Sequence, residues 1–261
     1  MRQKIIDLFE YREFPKLLQY VQEDRRESLL EQLIDLQEAV YHLDAVLESR
    51  WELTDADFEP HWESITQAVI DTGVDPAEAP DYLSHIRAYL KHEMLLRDGI
   101  GPHQLDLEEY YFYKSCDVKL TRRLIYENSV ELQETMKLDD WRYFDYITEI
   151  DDDTADIVED HDSINGNGVA FYLHAHGLQE AVRILDGFIH AAKAQSQGLL
   201  AKKPTDRWLT FINSTTEKVY YDTSALLSQL KSVLLHQEMD VAENKTIRLV
   251  AQAKKLNPEL T

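Results

Sequence analysis

Turn-forming residues are too scarce in this chain for a β architecture. Glycine (8) and proline (7) make up 15 of 261 residues, about half of the usual combined share of ~12%. A sandwich or barrel needs a turn of that kind roughly every 8–12 residues, so an all-β fold is excluded. The few breaks fall at residues 53–60, 72–80, 98–106, 163–168 and 201–206. Most of the intervening segments carry apolar residues at helical spacing.

The first such pattern, Ile5, Leu8, Phe9, Leu17, Leu18 and Val21, has Pro15 as a potential break. Leu29, Leu33, Leu36, Val40, Leu43 and Leu47 form a second stripe, and Trp62, Ile65, Val69 and then Leu83, Ile86, Leu90, Leu95 form two more. Asp106 is placed to cap a long helix running through Tyr110, Tyr113, Val118, Ile125 and Leu132. Asp139 or Asp140 is placed to cap the next, through Phe144, Ile147, Ile150 and Ile157. Residues 178–200 and 208–236 complete the pattern, the Thr-rich stretch 210–221 being its weakest helix, with a short helix to close the chain. The expectation is one all-α domain of eight to ten helices over residues 1–261. That length buries a core without disulfides or metal staples.

The net charge is −22. Such a chain repels phosphate backbones and anionic lipid, so a broad nucleic-acid or membrane-surface face is not expected. Cys116 is the only cysteine, which fits a reducing compartment. The first fifteen residues lack the apolar run of a signal peptide, and no 18-residue apolar stretch exists to span a membrane. The expected location is the cytoplasm.

The acidity is concentrated. Residues 139–162 hold eleven acids and a single base, Arg142. Asp145, Glu149, Asp152, Asp156 and Asp160 follow one another at steps of 4, 3, 4 and 4. On one continuous helix that spacing puts five carboxylates on one face, where like charges repel by a few tenths of a kcal/mol per pair. A cation would relieve this, and Mg²⁺ prefers carboxylate oxygen, often sharing it with substrate phosphate.

Residues 152–160 read Asp-Asp-Thr-Ala-Asp-Ile-Val-Glu-Asp. This resembles the second aspartate-rich motif of class I isoprenoid synthases. Asp152, Asp153 and Asp156 match the Asp-Asp-x-x-Asp of trans-prenyltransferases. Asp152, Asp156, Glu159 and Asp160 are similar to the pattern of squalene and phytoene synthases, with Ala155 in place of arginine. Gly168 to Leu173 is a loose counterpart of the segment that follows in phytoene synthases. Lys114-Ser115 lies 38 residues before Asp152, near where trans-prenyltransferases carry a diphosphate-contacting Lys-Thr. Arg122 and Arg123 follow it. Asp44 and Glu48 form an Asp-x-x-x-Glu, 112 residues before Asp156, that resembles the first motif of the squalene and phytoene synthases; Arg50 and Trp51 come just after.

The resemblance covers about residues 35–200. It implies a helical bundle of the class I terpenoid synthase type with a central cavity. Asp44, Glu48, Asp152, Asp153, Asp156 and Asp160 would hold Mg²⁺ on a prenyl diphosphate, with a homodimer allowed. Lys114, Arg122 and Arg123 would stabilise the departing diphosphate. The carbocation would need an apolar, water-free pocket with aromatic faces. The reaction would be chain elongation or head-to-head coupling, cyclisation being disfavoured because the Arg-Tyr pair of many cyclases is absent. Two alternatives stand beside this reading. One is a non-catalytic acidic interaction protein with a degenerate metal site. The other is an HD-type phosphohydrolase built on His161-Asp162 with upstream His42, His85 or His92 and a later Asp186 or Asp222. His174 and His176 diverge on a helix, and the Asn165–Gly168 stretch lacks the acids of a Ca²⁺ loop.

Overall fold

Where the apolar stripes run unbroken the chain forms long helices, and local hydrogen-bonding side chains decide where they stop. The computed structural model describes residues 1–256. Fourteen α-helices occur among them: α1 (Arg2–Tyr11), α2 (Phe14–Leu18), α3 (Glu23–Ser49), α4 (Asp55–Asp71), α5 (Ala79–Tyr82), α6 (Ser84–Leu95), α7 (Leu107–Lys114), α8 (Cys116–Glu127), α9 (Val130–Thr135), α10 (Arg142–Ala155), α11 (Gly168–His176), α12 (Leu178–Lys202), α13 (Arg207–His236) and α14 (Lys245–Leu256). No strand is present among the described residues, so the all-α expectation holds. None of these helices is long and apolar enough to cross a membrane.

The count exceeds eight to ten because expected helices are divided. Glu13, at φ 63°, separates α1 from α2, and Pro15 sits in the first turn of α2, where its missing N–H costs nothing. Asp106 does cap α7, accepting from Glu109 N at 2.9 Å. The long helix expected beyond it stops at Ser115, whose hydroxyl turns back to the Tyr111 carbonyl at 3.1 Å. Ser129 caps α9 through Leu132 N at 3.3 Å. Neither Asp139 nor Asp140 caps α10: a 3-10 turn, Leu138–Trp141, precedes it, and Trp141 occupies the capping position. The Thr-rich stretch is helical throughout; Thr215, Thr216 and Thr223 return their hydroxyls to carbonyls one turn back.

The chain divides into two compact units. The first comprises residues 1–89 and 116–138. Its core joins Leu29, Leu33, Leu36, Leu43 and Leu47 of α3 to Ile65 and Val69 of α4 and to Leu124 and Ile125 of α8. Gln37 on α3 donates to Asp117 at the start of α8 at 2.8 Å.

The second unit comprises residues 90–115 and 139–261. Its central element is α10, which packs against α7, α11, α12 and α13, while α12 and α13 pair along their length. Trp141, Phe144, Ile147 and Ile150 are sealed from solvent. The Trp141 ring meets Phe144 and Phe211 edge-on at 5.4 and 5.9 Å. Replacing it by alanine removes the largest buried side chain and both aromatic contacts. Trp141→Ala is expected to lower stability by about 3–5 kcal/mol, read from the urea midpoint by far-UV circular dichroism.

Candidate functional site

α10 buries Asp153 where its spacing suggests Asp152. The helix ends at Ala155, with Asp156 as its C-cap, and residues 159–162 form a separate 3-10 turn. The five carboxylates therefore do not share one continuous helix. Asp145, Glu149 and Asp153, at successive four-residue steps, are buried, while Asp152 is exposed and Asp156 half-buried.

Asp153 is the centre of the arrangement. Its Oδ1 takes the Lys114 ammonium at 2.5 Å. Its Oδ2 accepts from the Tyr111 hydroxyl at 3.0 Å and from Gly168 N at 2.9 Å. Its carbonyl accepts from Asn167 Nδ2 at 2.7 Å, and the same amide donates to Asp160 Oδ2 at 2.8 Å. Asn165 Nδ2 holds the other Asp160 oxygen at 3.1 Å. Asn167 Oδ1 meanwhile caps α11 through Ala170 N at 2.9 Å. Tyr110 donates its hydroxyl to the Gly166 carbonyl.

The glycines of this loop are required by proximity. A Cβ at Gly168 would stand 2.6 Å from the Tyr111 hydroxyl, and one at Gly166 2.5 Å from a Glu93 carboxylate oxygen. Both contacts are shorter than any real Cβ packing distance.

Burial sets the electrostatics. It raises the Asp153 carboxyl above the usual range, and Lys114, the Gly168 N–H and the Tyr111 hydroxyl offset this only in part. Burial also works against the Lys114 ammonium, but Asp153, Tyr110 and Glu149 outweigh it, and its pKa rises well above the ordinary lysine value. Asp160 is raised by burial, with the Asn167 hydrogen bond opposing. Tyr110 and Tyr111 are pushed well up, chiefly by burial.

The other expected site residues lie elsewhere. Asp44 and Glu48 are half-buried on α3 of the first unit. Arg122 is fully buried in that unit, its guanidinium 5.8 Å from the centre of the Phe14 ring. Arg123 pairs with Asp81 at 2.9 Å and with Glu127 at 3.0 Å, and lies over the Tyr82 ring at 3.7 Å. His161 contacts the exposed Asp162 at 3.1 Å and the Asp240 carbonyl at 3.2 Å.

Among the described residues no group of three or more His, Cys, Asp or Glu could hold a metal ion. Asp153 and Asp160 fit the Mg²⁺ role poorly, because protein donors occupy their oxygens. Asp152 is exposed and Asp156 half-buried. They are one turn apart, linked by the Asp156 N to Asp152 carbonyl bond at 2.9 Å. Mg²⁺ needs only one or two carboxylates when phosphate and water complete its shell.

The sequence does not reveal Tyr111 as a partner of Asp153, and Asn165 and Asn167 stand out there only as part of a stretch unfit for Ca²⁺. The available signal was the four-residue step of Asp145, Glu149 and Asp153, together with two asparagines each followed by glycine. Comparison with protein-family models gives no match, and comparisons with curated proteins and with solved structures give none either.

Lys114→Met would leave Asp153 buried without its counter-ion, and Asp153→Asn would do the same to Lys114. Each change is expected to cost about 3–5 kcal/mol. The double variant should lose less than the sum of the two, as measured by a double-mutant cycle in urea.

Proposed function

We propose that the second unit binds a prenyl diphosphate together with Mg²⁺ at the C-terminal end of α10, in a helical bundle of the class I terpenoid synthase type. The observation that carries this reading is the crowding of charge there. Asp151, Asp152, Asp153 and the C-capping Asp156 gather where the helix dipole is already negative, with no basic residue in the last turn of α10. Such a helix end attracts a divalent cation and, through it, an anionic ligand. Lys114, 38 residues before Asp152, is held beside the motif by its ion pair with Asp153.

In this reading Asp152 and Asp156 hold the cation. Mg²⁺, when bound, neutralises diphosphate charge and polarises the oxygen of the bond that breaks. Asp153 positions Lys114 and keeps its ammonium charged, ready to face a diphosphate. Asn165 and Asn167 fix Asp160 and tie the following loop to α10. Phe188 packs its ring near Tyr111 and α10's own Tyr146, at 6.3 and 5.7 Å, in an aromatic cluster that would lie near the ligand.

A second reading, a non-catalytic interaction protein that keeps the motif for structure, is favoured by one observation. The three cations assigned to diphosphate are committed within the protein: Lys114 to Asp153, Arg123 to Asp81 and Glu127, and Arg122 to a fully buried position.

Thermal melts with farnesyl diphosphate and Mg²⁺ separate the two. Ligand at a hundred times its Kd should add about 2.7 kcal/mol of stability, only with Mg²⁺, and Asp152→Asn/Asp156→Asn should abolish the gain. No Mg²⁺-dependent gain with C5 to C20 diphosphates would overturn the binding proposal. Binding without release of inorganic diphosphate would select the non-catalytic form.

A further inference from the structure

Within this acidic chain, residues 187–221 carry the opposite balance. They hold five bases and two acids, whereas the chain as a whole carries −22. The stretch runs from the middle of α12 to the middle of α13, two helices that pack together. One of its acids, Asp206, is used inside the protein, capping α13 through Trp208 N at 2.9 Å and Leu209 N at 3.1 Å. Asp206 and Glu217 are both half-buried, while Lys202, Lys203, Arg207 and Lys218 are exposed. The basic stretch ends at Asp186, whose carboxylate accepts from the Ser224 hydroxyl at 2.7 Å, and at the exposed Asp222.

These bases share one outward side of the helix pair. Arg207, Lys218 and Tyr221 are eleven and three residues apart, which places them on one face of α13. Tyr221 is 59% exposed, the most exposed aromatic side chain among the described residues. At the seam between the helices, the Lys193 ammonium lies 3.9 Å from the centre of the Tyr220 ring and 5.1 Å from that of Tyr221. His190 Nδ1 is 3.3 Å from the Tyr220 hydroxyl. The two helices thereby hold a cation between them on ring faces, beside an exposed ring. Lys202 and Lys203 extend the same sign to the end of the pair, where α12 gives way to α13.

We propose that this face is a docking surface for an acidic peptide segment of a partner protein, laid extended along the α12–α13 pair. Charge complementarity selects an anionic occupant. The length of the face selects a short one: from Arg207 to Tyr221 the helix rises about 21 Å, which about six extended residues span. A nucleic acid or an anionic bilayer reaches beyond the patch and meets the acids around it, which repel it. A short peptide stays over the bases, and screening within about 8 Å limits what it feels of the rest of the chain. Lys193 is already held by the tyrosines, so less freedom is lost when a carboxylate meets it. Tyr221 offers apolar surface to the same segment. The surface uses none of the residues assigned to diphosphate and stands whether or not that ligand binds.

Titration of fluorescein-labelled hexaglutamate with the full chain, read by fluorescence anisotropy, tests this. Binding should saturate, and should weaken several-fold between about 50 and about 200 mM salt. Lys203→Glu/Lys218→Glu turns two exposed attractions into repulsions and should weaken binding about tenfold. Tyr221→Ala takes one ring from Lys193 and should weaken it about threefold. Lys231→Glu makes the same kind of charge change on α13 outside the patch and should bind as the native chain does. If circular dichroism shows the double reversal unfolded, Lys203→Gln/Lys218→Gln carries the test, with a smaller loss in the same direction. Four results would each overturn the proposal. They are no saturable binding by the native chain, an equal loss in Lys231→Glu, and binding of an oligothymidylate of the same length as tightly as the peptide. The fourth is self-association in sedimentation that the double reversal abolishes, which would make the occupant a second copy of the chain.

Discussion

A carboxylate taken out of water has to be met by donors on every side, and Asp153 recruits them from two separate stretches of chain. Lys114 and Tyr111 come from α7, and the Gly168 N–H comes from the first turn of α11. Each stretch is thereby fixed to α10, the helix around which the second unit packs. The cost of burying one ionised group is several kcal/mol, so the arrangement persists only while all these donors are present together. That requirement reaches the loop between α10 and α11, where Asn167 binds the Asp153 carbonyl, the Asp160 carboxylate and the head of α11 with one side chain.

Much of the fold could be read from the residues. The apolar steps along residues 178–200 and 208–236 correspond to α12 and α13 with nearly the same bounds, because nothing in those stretches competes with the helix. Reading failed where a short polar side chain did compete. Ser115 ends α7 by bonding back to Tyr111, and no apolar pattern signals that. At the acidic motif, counting positions identified the helix and two of its buried acids, Asp145 and Glu149, but placed Asp152 where Asp153 is buried. Every residue from 144 to 150 is buried because α7, α11, α12 and α13 surround α10, so Asp145 and Glu149 are enclosed on the side away from Ile147. Only towards the end of the helix does one side open, leaving Asp152 exposed and Asp153 buried.

Burial divides the acids into two chemical kinds. Asp153 and Asp160 act through the protein, holding Lys114 and the asparagine loop. Asp152 and Asp156 lie at the end of the helix, where the partial charge of the backbone is negative. Arg122 shows the contrasting outcome. It was assigned to a diphosphate on the strength of its neighbourhood to Lys114, but the break at Ser115 sends α8 into the first unit, where the guanidinium lies against Phe14.

The chain passes between its two units three times, after residues 89, 115 and 138. During synthesis the first unit is complete once residue 138 has emerged. By then α7 has emerged, with Lys114 at its end, while Asp153 has yet to emerge. A lysine destined for a buried pair thus waits in water, at little cost, until α10 arrives. The reverse order, with the Asp-rich helix first, would expose an acidic segment with no counter-ion to hold it. The interleaved order of the units thus lets the cation precede the anions that bury it, and no single cut in the chain separates one unit from the other.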